Sequence, residues 1–425
     1  MGIRLRADRQ ANQVEKVLKH HSVPLHVAVV DVGPRWTIFH SVVPLGQTIG
    51  KIRRLAEEIA MMLGASACRI DRNGSFVDIK VPHDVPVDVN LLDHLDLDLD
   101  MVGVTCFLGV DETGNPLYIR LDSDLVSHIL IAGITGSGKT ELTRSMIVSL
   151  ISKANVHELG LILIDPKRRG YGPFEGLPHL CRGIVDTVPS ALAALRWVIQ
   201  LMEQRDREGQ SKPHIVVFID EVADLILQAT DVVNLLTRLL QRGRQAGVHV
   251  VACTQKPTAA VIGSLVKSNF PVRIVGSVAT PEDAKVASGL KQTGAEKLLG
   301  RGDFLLVTSQ EVVGFQGARV SEDDIRRIVL RLRGGQPVPV EKAELIVVEP
   351  DTWVDTSRST GRPSQPPTDD EIEAVLAFWS QNDKPPSLRW IRRQFGTRND
   401  RARRIMEASE VVRNETMPRV LSKTP

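Results

Sequence analysis

Residues 133–140 read Gly133-Ile134-Thr135-Gly136-Ser137-Gly138-Lys139-Thr140. They fit the pattern G-x-x-x-x-G-K-[ST], a loop that binds the phosphates of a nucleotide. Gly133, Gly136 and Gly138 permit a tight turn in which successive N–H groups point inward at phosphate oxygens. A helix opening directly after the loop adds its positive N-terminal end. Lys139 is placed to reach the β- and γ-phosphates, and the Thr140 hydroxyl to ligate Mg²⁺. The flanks agree. His128-Ile-Leu-Ile-Ala132 is a short apolar run, as in a buried parallel strand. Leu142, Met146, Ile147 and Leu150 then recur at helical spacing.

A phosphate loop needs acids at the end of another strand, and His214-Ile-Val-Val-Phe-Ile-Asp220-Glu221 supplies two. Asp220 suits the Mg²⁺ shell, and Glu221 suits orienting or deprotonating the attacking water. Val248-His-Val-Val-Ala-Cys-Thr254-Gln255 is a further apolar run with a polar end. Strands of such sheets finish at the nucleotide crevice, so Thr254 and Gln255 are expected near the γ-phosphate or the water. Arg238, Arg242 and Arg244 flank the end of a helix carrying Val232, Leu236 and Leu239. One of them suits an arginine finger supplied across a subunit boundary, and spacing does not choose among them.

Outward from this site, apolar strands alternate with longer helical stretches from Cys106 to about Arg333, the signature of a parallel α/β sheet. The expected strands are 106–110, 128–132, 159–165, 214–220, 248–254, 272–276 and 304–307. Residues 1–90 read as a small α/β domain. In it, an opening helix precedes strands over 25–32 and 36–43, one helix through Ile52, Leu55, Ile59 and Met62, and strands over 67–70 and 76–81. Residues 91–333 hold the nucleotide-binding domain. Residues 334–367 are rich in Gly, Pro, Ser and Thr and read as a linker, with 345–348 as a short edge strand. In 368–425, Leu388, Ile391 and Phe395 form one helical face and Ala402, Ile405 and Ser409 a second, around the turn at Phe395-Gly396. The second helix carries Arg398, Arg401, Arg403 and Arg404, the footprint of a recognition helix in a major groove.

Bulk composition restricts the rest. The 425 residues carry a net charge of +2, so any electrostatic case for a partner is local. Cys68, Cys106, Cys181 and Cys253 are isolated, which argues against zinc and against a disulfide framework. No apolar run approaches the length of a spanning helix and no signal peptide follows Met1, so a cytoplasmic protein without membrane insertion is expected.

Together these motifs resemble the FtsK/SpoIIIE/TraB family of double-stranded DNA motors. Asp165-Pro-Lys167, Glu175-Gly-Leu-Pro-His-Leu180 and Ala194-Leu-Arg-Trp197 are similar to family segments that follow the phosphate loop. Asp220-Glu-Val-Ala-Asp-Leu225, Arg244-Gln-Ala-Gly-Val-His249, Ala252-Cys-Thr-Gln-Lys-Pro257 and Gly294-Ala-Glu-Lys-Leu-Leu-Gly-Arg-Gly-Asp303 continue the likeness in order. Arg398 to Met406 resembles the family's winged-helix tail. The resemblance implies an α/β fold with a RecA-like P-loop ATPase core, a small N-terminal α/β domain and a C-terminal winged-helix or helix-turn-helix domain. It also implies ATP and Mg²⁺ as cofactors, and a hexameric homo-oligomer around duplex DNA. By that resemblance Lys139, Asp220, Glu221 and Gln255 serve hydrolysis, and Arg244 takes the place of the trans-acting arginine. Lys256, Lys267 and Lys285 fall near the pore-loop positions, and Arg398, Arg401 and Arg404 near the tail's DNA contacts. The chain departs from the family at Lys256, where arginine is usual, at Glu141 and in the short stretch between Arg205 and His214. Its lack of membrane helices disfavours a septum-anchored role. Two other readings stay open: an ATP-regulated DNA-binding switch, and a protein-export ATPase of the type VII kind.

Overall fold

A four-stranded antiparallel sheet opens the chain and a nine-stranded mixed sheet follows it. Both belong to one unit, Met1–Ala343; Glu344–Pro425 forms a second. The structure is a computed structural model that describes residues 2–95, 103–258, 269–334, 368–382, 391, 394–395, 405–406 and 409.

The first sheet has the order β1-β2-β4-β3, built from β1 (His26–Val32), β2 (Trp36–Val42), β3 (Arg69–Asn73) and β4 (Phe76–Pro82). Alternation gives it two faces. Phe39, Ile70, Val77, Ile79 and Val81 pack with Val14 and Leu18 of α1 (Gly2–His20). The helix expected through Ile52 to Met62 is two short ones, α2 (Ile49–Arg53) and α3 (Ala56–Leu63). The break buries Ile52 and Ile59 and leaves Met62 exposed, so the apolar spacing did not mark one continuous face. After β4 comes the short α4 (Leu92–Leu95).

The second sheet runs β6-β5-β13-β12-β11-β7-β10-β9-β8. Its strands are β5 (Thr105–Asp111), β6 (Pro116–Arg120), β7 (Ile129–Ala132), β8 (Leu159–Ile164), β9 (His214–Ile219), β10 (Val248–Thr254), β11 (Val272–Val275), β12 (Asp303–Val307) and β13 (Val312–Gly317). The five strands from β11 to β8 are mutually parallel, as the alternating pattern predicts. The other four are antiparallel, which corrects the expectation of a parallel sheet throughout. β6 and β13 were not foreseen. β6 is half-exposed and carries a proline, and β13 contains two glycines, so neither shows the apolar run of a central strand.

Helices cover both faces. α5 (Lys139–Lys153) and α10 (Glu322–Leu332) pack on one with Leu161, Val216, Val251 and Phe304. α6 (Val188–Glu208), α7 (Val222–Gln228) and α8 (Asp231–Arg242) pack on the other with Ile162, Val217 and Val250. α9 (Pro281–Ser288) lies beside β11. The outer edge of β8 is covered by the segment 179–185, whose backbone bonds to Leu161, Leu163 and Asp165. Such covering blunts an otherwise sticky edge.

In the second unit, α11 (Asp369–Asn382) contributes Val375 to a small apolar cluster with Ile391 and Ile405, against which Phe395 and Met406 pack. The two apolar faces expected there therefore meet through Ile391, Phe395 and Ile405. Leu388, Ala402, Arg398, Arg401, Arg403, Arg404 and the proposed edge strand at 345–348 lie outside the described residues. No helix among the described residues is long and apolar enough to cross a membrane.

Candidate functional site

β7 ends at Ala132 and hands the chain to the 133–140 loop, which opens α5. Gly138 has φ of 100°, and a Cβ there would stand 2.8 Å from the backbone nitrogen of Gly302, so only glycine fits. Lys139 is buried inside the loop. Its Nζ donates to the carbonyls of Gly133 at 2.6 Å and Ile134 at 3.0 Å, and to Ser137 Oγ at 3.4 Å. Burial lowers its pKa, while Cys253, Glu221 and Asp220 oppose that shift.

The acids arrive two strands away. β10 separates β7 from β9, so Asp220, just past β9, stands on the same sheet edge as the loop. Gly170 locates the meeting. A Cβ built there would lie 3.2 Å from Asp220 Oδ1 and 3.4 Å from Thr140 Cγ2, so all three residues adjoin. Burial first, then the charges of Asp165 and Glu221, push the Asp220 carboxyl up to about 6, with Lys139 and Lys167 pulling the other way. Glu221 is buried, and its two oxygens accept the backbone N–H of Gln255 at 3.2 and 2.9 Å. Burial raises its pKa too, and bonds from Gln255 and Thr254 restrain the rise. Gln255 Oε1 in turn accepts the Thr135 hydroxyl at 2.8 Å, tying the end of β10 to the phosphate loop.

Four further residues contribute in ways that no local sequence pattern assigned. Asp165 is fully buried beside Asp220; its Oδ2 accepts the N–H groups of Gly170 and Tyr171, and its Oδ1 has no partner. A buried carboxylate oxygen left bare is costly unless a cation or water meets it. Arg144, also buried, donates to the carbonyl of Gly170 at 2.6 Å and to Glu322 at 2.9 Å. Arg301 and Gln316 come from the far side of the sheet to line the cleft. That cleft, of about 760 Å³, lies between Thr135, Lys139 and Thr140 on one wall and Arg301, Gln316 and Arg319 on the other. A smaller cavity of about 250 Å³ opens behind the acids, lined by Lys167, Asp186, Asp220, Glu221 and Asp224. Lys167 Nζ sits 2.5 Å from Asp224. The pattern Asp165-Pro-Lys167 was a family signature in the sequence, but only tertiary contact gives its residues positions.

The remaining expected residues fall elsewhere. Arg244 follows α8 and donates to the Asp124 carbonyl at 3.0 Å, with the Asp124 carboxylate 3.1 Å away. It precedes β10, so a strand of roughly 20 Å separates it from its own phosphate loop. The fold of this chain does not bring Arg244 and Lys139 together. Arg238 and Arg242 are paired with Glu203 and Asp206. Lys256 is exposed just beyond β10, and Lys285 is exposed on α9. Lys267 lies outside the described residues.

Comparison with known proteins bears on the family and the fold. Residues 91–208 and 204–259 match the profile of the FtsK/SpoIIIE family, and residues 4–83 that of the FtsK alpha domain. Over 456 aligned positions, 99% of this chain, the sequence is 30% identical to the DNA translocase FtsK of Leptospira interrogans, of which it covers 46%. It is 34% identical over 360 positions to the DNA translocase SftA of Bacillus subtilis, covering 78% of this chain and 37% of that protein. The chain thus spans about half the length, or less, of these curated relatives. Among solved structures, the monomer form of the pCW3 conjugation coupling protein TcpA with ATPγS superposes with a TM-score of 0.54 at 19% identity, over 76% of this chain and 99% of that one. At that identity the likeness speaks for the fold.

Proposed function

Since the chain belongs to the FtsK/SpoIIIE family, we propose that it is an ATP-driven translocase of double-stranded DNA, working as a homo-oligomeric ring of six in the cytoplasm. The observation that carries the reading is the meeting of Thr140 with Asp220 at Gly170, on the sheet edge that also holds Lys139 and Glu221. Thr140 and Asp220 suit a Mg²⁺ ion: the Oδ1 of Asp165 is bare, and burial, then the charges of Asp165 and Glu221, raise the Asp220 pKa, a cost that a cation would relieve. That ion, when bound, would neutralise charge on the β- and γ-phosphates.

Lys139 binds the phosphates, and Glu221, fixed by the Gln255 N–H, aligns the attacking water and takes its proton. Gln255 joins that strand end to the loop and responds to the terminal phosphate. Arg244, at the opposite end of the strands, serves a neighbouring subunit's nucleotide. Lys256, Lys267 and Lys285 track the DNA backbone without sequence preference. Residues 368–425 form a helix-turn-helix whose Arg398, Arg401 and Arg404 orient loading.

A triplex-displacement assay tests translocation. Wild type should displace the third strand with ATP, and Lys139→Ala should not. Displacement that survives the substitution rules the mechanism out. Tight DNA binding with ATP but no displacement would point to a regulatory switch. ATPase activity indifferent to DNA would point to protein export.

A further inference from the structure

We propose that Arg301 is a second nucleotide-contacting cation, supplied in cis by the β12 approach and held over the phosphate loop in a strained conformation; this rests on the ATP reading of the Lys139 loop. Arg301 has φ of 51°, a left-handed value that a long side chain rarely adopts. It costs stability unless the surroundings fix it, and such outliers gather at ligand clamps. Here the surroundings do fix it. Its N–H donates to the Gly136 carbonyl at 3.0 Å, and the next N–H, of Gly302, donates to Ser137 at 2.9 Å. Its own carbonyl accepts from Arg35 Nη2 at 2.9 Å and from Gln316 Nε2 at 3.0 Å. Arg35, buried at the foot of the N-terminal sheet, also holds Gln316 Oε1 at 2.6 Å. Two backbone bonds to the phosphate loop and two side-chain bonds to its carbonyl thus fix the Arg301 backbone.

The side chain is not used in that fixation. It is exposed, lines the 760 Å³ cleft opposite Lys139, and forms no hydrogen bond or ion pair among the described residues. A backbone held in strain to present an otherwise idle guanidinium over a phosphate cradle points to an anion. A nucleoside triphosphate carries more charge than Lys139 and a divalent ion neutralise, and arginine's fork suits phosphate oxygens.

The test uses the full chain and the fluorescent analogue mant-ATPγS. Binding by wild type that Lys139→Ala abolishes establishes the nucleotide site. No binding, or binding indifferent to Lys139→Ala, overturns the ATP reading and this proposal with it. Given the site, Arg301→Gly is expected to weaken mant-ATPγS binding about tenfold. Glycine accepts positive φ freely, so the melting temperature of Arg301→Gly should hold or rise. A structural role alone would leave affinity unchanged in this variant. Arg301→Lys should recover most of the affinity, and Arg301→Gln should not. Wild-type affinity in Arg301→Gly, or Arg301→Lys falling as low as Arg301→Gly, overturns the contact while leaving the Lys139 site standing.

Discussion

Asp220 is held as a carboxylate in a place that favours the neutral acid. Its pKa, about 6 in the fold against an ordinary 3.8, means the native state holds a proton that the unfolded chain has lost between those values. Stability therefore falls as pH rises through that window, and the full cost is present at pH 7.5. Asp220→Asn is expected to raise stability there by on the order of 1–3 kcal/mol while abolishing hydrolysis, as read by thermal melts and an ATPase assay. Gly170 makes a converse case. Alanine there would press on Asp220 and Thr140 with little room to yield, so Gly170→Ala should cut hydrolysis about 10–100-fold with only a small change in melting temperature. A wild-type rate in Gly170→Ala would mean the two residues do not act together. Lys139, Thr140, Asp220 and Glu221 were legible from sequence because each sits in a local pattern tied to a strand end. Gly170, Arg144 and Arg301 were not, because their roles arise only where distant segments meet.

Among the elements, the N-terminal ends of β7, β9 and β10 carry a chain of histidines. His214 Nδ1 donates to His249 Nε2 at 3.2 Å, and His249 Nδ1 donates to the Ser127 carbonyl at 3.1 Å. His128 Nδ1 accepts the Val250 N–H at 3.1 Å. Burial, aided by the His249 charge, pushes His128 down to about 3; burial, resisted by the Ser127 bond and aided by the His214 charge, pushes His249 down to about 4. The unfolded chain takes up these protons below about pH 6.5 and the folded chain does not. The histidines' contribution is therefore complete above that pH and is lost as pH falls toward 4, by about 1.4 kcal/mol per pH unit for each, which outweighs the opposite change from the single Asp220. Urea midpoints at pH 7 and pH 5 should show the drop. His249→Asn should lower stability at pH 7 yet flatten the dependence; an unchanged slope would place the titration elsewhere. The parallel strands themselves were readable as apolar runs bounded by turn residues. β6 and β13 escaped because their glycines, proline and half-exposed pattern are set by pairing partners far along the chain.

On the scale of the whole molecule, the N-terminal sheet is fastened to the core through a few charged groups. Arg69 stacks 4.4 Å over Trp36 and donates to Asp303 at 3.0 Å and to the Lys297 carbonyl at 2.7 Å. Lys80 meets Glu112 at 2.5 Å. Asp303 is buried and would keep only the Leu299 N–H at 2.8 Å, so Arg69→Ala leaves its charge without a counter-ion and should cost about 3 kcal/mol, visible as a lowered urea midpoint. A change under half of that would mean the Leu299 N–H and solvent suffice to hold the Asp303 charge. The second unit is expected to act separately: deleting residues 368–425 should weaken DNA site preference and leave basal ATPase intact, and equal loss of both would count against a modular tail. The strand order carries one more consequence. β5 and β6 precede the phosphate loop in the chain, yet β5 finds its partner in β13. Roughly 200 residues must leave the ribosome between them, about 10–40 s of synthesis at ordinary rates. Throughout that interval the nascent β5–β6 hairpin offers an open edge, so chaperone demand in the cell should peak for chains stalled before Val312.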